Sequence, residues 1–366
     1  MRSFARCSIL AVFFAVLLSA SFAYAQPGLQ KALDAQAAHN PNFFANDGVV
    51  ATGISVDLAG KAIIKVYTKD GNVKGIPPFV NGVKVKKSPV GIIRAGNPVG
   101  PLGNGNGRGG GKPGDNGETD PKDRQSRPVP IGASIGTYHD PIESNLCFAG
   151  TLGCRLKCED LKTGGVGYYI LSNNHVIAEQ NSGNAGDQIL QPGTLDNSCF
   201  YDPNDQIGSL TDFIPISFGG SNLVDAAIAE TTIQETGFAS PDDAYGAPAS
   251  ATANATIGMP VQKFGRTTGH TNGEVDSINA TVNVQYDSGV ATFSGQVIIV
   301  GTGRGRNRAF SDSGDSGSLI VTQTGNFPVG LLFAGNSSVT IANDIDDVLN
   351  EFSIKHGALF TVDDGK

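Results

Sequence analysis

From Pro128 to the end of the chain, short runs of apolar and β-branched residues alternate with clusters of Gly, Asn, Asp and Ser. The runs fall at 167–172, 224–229, 261–264, 291–300 and 318–322. Short strands divided by regular turn signals predict an all-β sandwich or barrel and exclude a βαβ sheet. The 49 glycines, the lack of tryptophan and a charged content of only 16% agree, and argue against a long helical or coiled-coil protein. The segment 345–352 reads as a C-terminal helix.

The 366 residues allow two domains, or one with a removable N-terminal part. Residues 1–25 have the form of a signal peptide. Arg2 and Arg6 make a positive start, Ser8 to Leu18 an apolar stretch, and Ala23-Tyr24-Ala25 a cleavage site before Gln26. The apolar stretch is short for a membrane span, so the expected location is secreted, extracellular or periplasmic. Residues 26–95 predict a small β-containing module, a propeptide or accessory unit. In it, 62–68 reads as a strand before the turn Asp70-Gly71. Phe79-Val80, Asn81-Gly82 and Val83-Lys84-Val85 read as a hairpin. Residues 96–127, glycine-rich and without periodicity, predict a flexible linker open to proteases. Residues 128–366 then form the β-rich C-terminal part.

Export permits disulfides, and the mature chain keeps Cys147, Cys154, Cys158 and Cys199. If 147–158 is one extended strand, no two of the first three can bridge, since even Cys154 and Cys158 would lie ~13 Å apart. Either Cys199 takes one partner and two thiols stay free, or Gly150 and Gly153 mark bends. Charge divides the chain at the linker, with a net +6 over 26–127 and −16 over 128–366. That balance favours docking of the N-terminal module on the C-terminal part, and makes nucleic acid an improbable partner. No membrane association is expected once the signal is cleaved, and a monomer is expected.

Three separated motifs carry chemistry. Ser311-Asp312-Ser313-Gly314-Asp315-Ser316-Gly317-Ser318 is a loop in which glycines can expose a serine hydroxyl and leave backbone N–H groups free for an oxyanion. Tyr168 to Val176 is an apolar strand that ends by presenting His175, alone among the five histidines in that setting. Asp225 stands in the apolar run Asn222 to Ala229, where an acid is costly unless paired. A neighbouring imidazole is the pairing that a Ser-His-Asp relay needs. Asp187 and Asp212 are rivals in more polar segments. No metal motif, phosphate loop or dinucleotide fingerprint is present, so no cofactor or metal is expected.

The order His175, Asp225, Ser316, with its gaps and local contexts, resembles the chymotrypsin-like serine peptidases over about residues 131–362. The resemblance implies a double six-stranded β-barrel with the triad between the barrels, and an oxyanion hole from the N–H groups of Gly314 and Ser316. Gly265-Arg266-Thr267-Thr268-Gly269 is similar to a segment of the bacterial alpha-lytic protease and streptogrisin type. Carried over, Arg266 pairs with Asp315 and supports the oxyanion loop, and a prosegment precedes the enzyme. Otherwise a freshly cut N-terminal amine must meet Asp315. The resemblance places Phe310, Ser313, Gly330, Phe333, Ala334 and Gly335 at the substrate cleft, with Phe310 where a trypsin-like enzyme has Asp. No cysteine follows His175 closely, so the disulfide plan departs from the family. The expected function is serine endopeptidase; the alternatives are a silent binding protein on the same fold, or an esterase.

Overall fold

The computed structural model describes residues 27–95, 100–101, 119–138, 146–303 and 309–366. The signal segment expected over 1–25 lies outside them, as does most of the expected linker. Residues 119–127 of that linker are packed on the C-terminal part. Arg124 donates to Asp205 at 2.7 Å, and the Gln125 N–H to Gln191 at 2.9 Å.

The N-terminal unit begins with a helix the sequence reading missed, α1 (Leu29–Phe44). Its N-cap Gly28 offers no side-chain cap, and Pro41 interrupts its last turns, so local signals for a helix are weak. Burial supplies the stability. Ala32, Ala35 and Phe43 pack against Ile54, Ile64, Val66 and Val85, and each large apolar side chain so buried contributes ~1.5–3 kcal/mol. Strands β1 (Val49–Val56) and β2 (Ala62–Thr68) are antiparallel. The hairpin of β3 (Phe79–Val80) and β4 (Val83–Pro89) turns through Asn81 and Gly82, with φ of 48° and 71°. Two successive positive φ values suit the asparagine-glycine pair at a tight hairpin. A two-strand ladder joins β5 (Gly100–Pro101) to residues 146–147.

The first sheet of the C-terminal part contains β6 (Ser134–Thr137), β8 (Gly150–Thr151), β9 (Cys154–Asp160), β10 (Val166–Ser172), β11 (Gln188–Leu190), β12 (Gln206–Phe213) and β14 (Ala227–Thr231). The stretch β8–β9 pairs with β6 at one end and β10 at the other, which curls the sheet round on itself. The partner of β5 is β7 (Leu146–Cys147). The second sheet contains β13 (Ser221–Asn222), β15 (Pro260–Gly265), β16 (Gly269–Tyr286), β17 (Gly289–Gly301), β18 (Leu319–Thr322), β19 (Pro328–Gly335) and β20 (Thr340–Asp344). Here β16-β15-β18-β19-β20-β17 closes into a six-stranded barrel, because β17 also pairs with β16. On its free side β16 accepts β1, with Ala51 opposite Val282. The N-terminal unit therefore extends the second sheet.

Between β10 and β11 lies a one-turn helix, α2 (Asn174–Ile177). The C-terminal helix α3 (Ile345–His356) runs four residues beyond the expected span. It is capped by Asp344, whose side chain accepts from the Asp346 N–H, and stops at Gly357 with φ 61°. Ile345, Val348, Leu349 and Phe352 form its buried stripe. Strand β21 (Ala358–Val362) then pairs with β9.

Cys199 bonds Cys147, closing a separation of 52 residues, a loop length that in the chain-entropy view contributes about 4 kcal/mol. Cys154 and Cys158 remain buried thiols on β9, and burial pushes the Cys154 thiol far up, away from thiolate chemistry.

Candidate active site

The three residues singled out by sequence sit at the meeting of the two barrels. His175 enters from the first turn of α2, just past the end of β10. Asp225 lies two residues before β14 rather than inside a strand. Side chains replace the ladder there: the Asp225 N–H donates to Asn343 Oδ1 at 3.0 Å, and its carbonyl accepts from Asn173 Nδ2 at 2.7 Å. Ser316 stands in the turn before β18.

His175 Nδ1 is 2.6 Å from Asp225 Oδ2, and the His175 N–H donates to Asp225 Oδ1 at 3.2 Å. Histidine, aspartate and serine are 1%, 0% and 5% exposed, so the Asp–His pair is desolvated and its hydrogen bonds are strong. The Ser316 backbone is brought close to the α2 turn through β8. The Thr151 N–H donates to the Ser316 carbonyl at 2.8 Å. A methyl group on Gly150 would lie 2.5 Å from Val176 Cγ1 and 3.1 Å from the Ser316 carbonyl oxygen. Only glycine lets the α2 turn and the serine loop approach this closely.

Gly314 and Gly317 have φ of 97° and 95°, which turns the loop sharply on both sides of the serine. A side chain at Gly317 would collide with the Thr151 carbonyl and Ser172 Oγ. Among the described residues, no backbone acceptor takes the N–H of Gly314 or Ser316, whereas the Gly317 N–H donates to Leu332 at 2.8 Å.

Asp315 is fully buried, but its partner is not Arg266. Its Oδ1 accepts the N–H groups of Thr267 and Thr268 at 2.8 and 3.1 Å. Its Oδ2 accepts Thr268 Oγ1 and the Asp312 N–H at 2.7 and 2.9 Å, with Lys263 Nζ at 3.6 Å. The cation is thus a lysine from β15, itself without exposure. Burial pushes the Lys263 ammonium below its ordinary value, and Asp315 acts against that shift. The 265–269 turn presents its backbone to Asp315 and aims the Arg266 side chain the other way. Arg266 grips Asp196 of the first barrel with two bonds of 2.6 Å, and Ser134 Oγ donates to the same carboxylate at 2.5 Å. Lys263 was legible in principle: a charge within the apolar run 260–265 invites the same question as Asp225.

A cavity of about 400 Å³ opens beside Ser316. Of the residues the resemblance placed in the cleft, Ser313, Ala334 and Gly335 line it. Phe310 and Phe333 do not. Phe310 packs with Val261, Val275 and Ile299, and Phe333 with Phe293 and Ile341. Gly330 pairs with Asp344 and Ile320 inside the sheet. Phe333 is packed within the barrel core instead, and a bulge between Leu332 and Ala334 interrupts the alternation along β19.

The cavity wall includes a segment from the N-terminal unit. The Arg94 N–H donates to Gly335 at 3.1 Å, and the Gly335 N–H returns a bond to Arg94 at 2.9 Å. On the opposite side the Ala95 N–H donates to Gln285 at 3.1 Å, and the Gln285 N–H to Ile93 at 3.0 Å. Residues 92–95 thus lie as an extended strand between the end of β19 and the tip of the β16–β17 hairpin.

Two β-barrels meet here, with the histidine and aspartate on one and the serine loop on the other. The architecture is chymotrypsin-like. No family profile matches the chain, and no curated protein matches it in sequence. Solved structures do. Thermobifida fusca Protease A is similar at 16% identity, over 64% of this chain and 99% of that one, with a TM-score of 0.41. A glutamic acid specific serine protease is 20% identical over 64% of this chain and all of its own, TM-score 0.40. Nocardiopsis Protease is 18% identical over 63% of this chain and 98% of its own, TM-score 0.41. At such identities the likeness concerns the fold alone.

Proposed function

We propose that this chain is a secreted serine endopeptidase. The observation that carries the reading is the buried Asp225–His175 bond together with Ser316 on the wall of a cavity where residues 92–95 already pair with Gly335. In this account His175 takes the Ser316 proton as the oxygen attacks a peptide carbonyl. The N–H groups of Gly314 and Ser316 hold the oxyanion, and Asp225 stabilises the imidazolium. The proton then passes to the leaving amine, and water cleaves the acyl-enzyme by the same steps in reverse. A strand edge that hydrogen-bonds backbone favours peptides over simple esters.

The N-terminal unit is, on this reading, a prosegment that keeps the cleft filled until it is cut. Pairing of β1 with β16, and the 2.7 Å ion pair of Lys65 with Asp276, would hold it docked until then. Secreted wild-type protein is expected to lose residues up to the region 96–127 and then to digest an unfolded protein substrate. Ser316→Ala protein is expected to stay uncut and inactive if processing is autocatalytic. Mass spectrometry of the N-termini, alongside a digestion assay, checks both. Active enzyme beginning only at Gln26 would make the N-terminal unit an accessory domain instead.

A further inference from the structure

We propose that Tyr286 is a positioning residue for the Asp225–His175 pair, delivered by the tip of the β16–β17 hairpin. The inference rests on the peptidase reading and adds a member that the three sequence motifs do not contain.

Tyr286 is the last residue of β16, and its hydroxyl donates to Asp225 Oδ2 at 2.8 Å. This is the same oxygen that meets His175 Nδ1. The ring stands edge-on to His175 with centroids 5.9 Å apart, and Phe218 and Phe293 hold it at 5.7 and 6.1 Å. The side chain is 2% exposed. Burial first, and then the Asp225 charge, push the phenol well above its ordinary value, so it stays a donor throughout the working pH range.

A carboxylate buried without solvent needs donors on both oxygens to stay ionised and fixed in direction. Oδ1 has the His175 N–H, and Oδ2 has the imidazole and the tyrosine. Asn173 and Asn343 bond the Asp225 backbone and carry no charge. The charged groups that line the cavity with Tyr286 are Asp287, Asp312 and Arg94. Tyr286 thus shares the negative charge of Asp225 with His175. The neighbouring residue Gln285 bonds the strand 92–95, so one hairpin tip holds both the acid and the peptide that crosses the cleft.

The test is Tyr286→Phe, which removes one oxygen and keeps the ring. In processed enzyme, kcat is expected to fall about tenfold with KM nearly unchanged, the scale of a lost charge-assisted bond. With less sharing, Asp225 holds the protonated imidazole more firmly, so the acid limb of kcat/KM moves up. Phe218→Leu, which loosens the ring without touching the hydrogen bond, should leave that limb in place. The same upward displacement of the His175 titration, read by NMR in Ser316→Ala background, needs no turnover. It therefore separates failure of this inference from failure of the peptidase reading. An unmoved titration and acid limb in Tyr286→Phe, or an equal displacement in Phe218→Leu, overturns the positioning role.

Discussion

Ser316→Ala and His175→Ala are each expected to lower turnover by at least ~10⁴, and the double variant to lose little beyond either single one. The reason is geometric. His175 is held by two bonds to a single buried carboxylate, so it can serve only the group that faces its other nitrogen. Without the serine there is nothing to activate, and without the imidazole the serine is an ordinary alcohol. Stopped or steady-state assays on a peptide substrate measure the three rates. Near-additive losses would mean that the two residues act independently, which contradicts a relay. The rate should also fall in acid as the imidazole takes up a proton and ceases to be a base.

Arg266→Ala is expected to destabilise the fold by about 3–5 kcal/mol, the scale for breaking one side of a buried pair. Arg266 and Asp196 are 6% and 8% exposed at their side chains and make a two-pronged contact. Removal of the arginine strands the Asp196 charge between the barrels. Arg266→Lys should rescue poorly, because an ammonium cannot reproduce the planar fork. Arg266→Ala with Asp196→Asn should recover part of the loss, since the stranded charge is gone. Asp315 keeps Lys263 and its four hydrogen bonds in all these variants. The molecules that still fold should therefore turn over within a few-fold of wild type. Chemical denaturation with active-site titration separates the two quantities. A kcat collapse without loss of stability would show that Arg266 acts on the oxyanion loop after all.

Much of the catalytic part was legible because its signals are local. The strand that ends at His175, the acid in an apolar run and the glycine-flanked serine each state a physical need within ten residues. What meets those needs was less legible. A buried carboxylate announces that a partner exists and not which one. Arg266 lies next in sequence to the turn that wraps Asp315, yet its side chain departs toward Asp196, while Lys263 reaches in from β15. Tyr286 ends a strand of 18 residues and reads in sequence as an ordinary strand aromatic. Only the closure of the barrel carries it to Asp225. The helix α1 was missed for a related reason: its stability comes from packing on β1, β2 and β4, with little local capping. Phe310 and Phe333 failed as cleft residues because correspondence in sequence fixes position but not which neighbouring side chains remain exposed.

The central claim is that Ser316 is a nucleophile activated by His175, and labelling by a fluorophosphonate probe tests it most directly. After processing, the probe should form one covalent adduct, mapped by mass spectrometry to Ser316, and His175→Ala should abolish it. Uncut protein, with residues 92–95 in the cleft, should label slowly. Adducts on Ser311 or Ser313, or labelling of His175→Ala at the wild-type rate, would contradict the account.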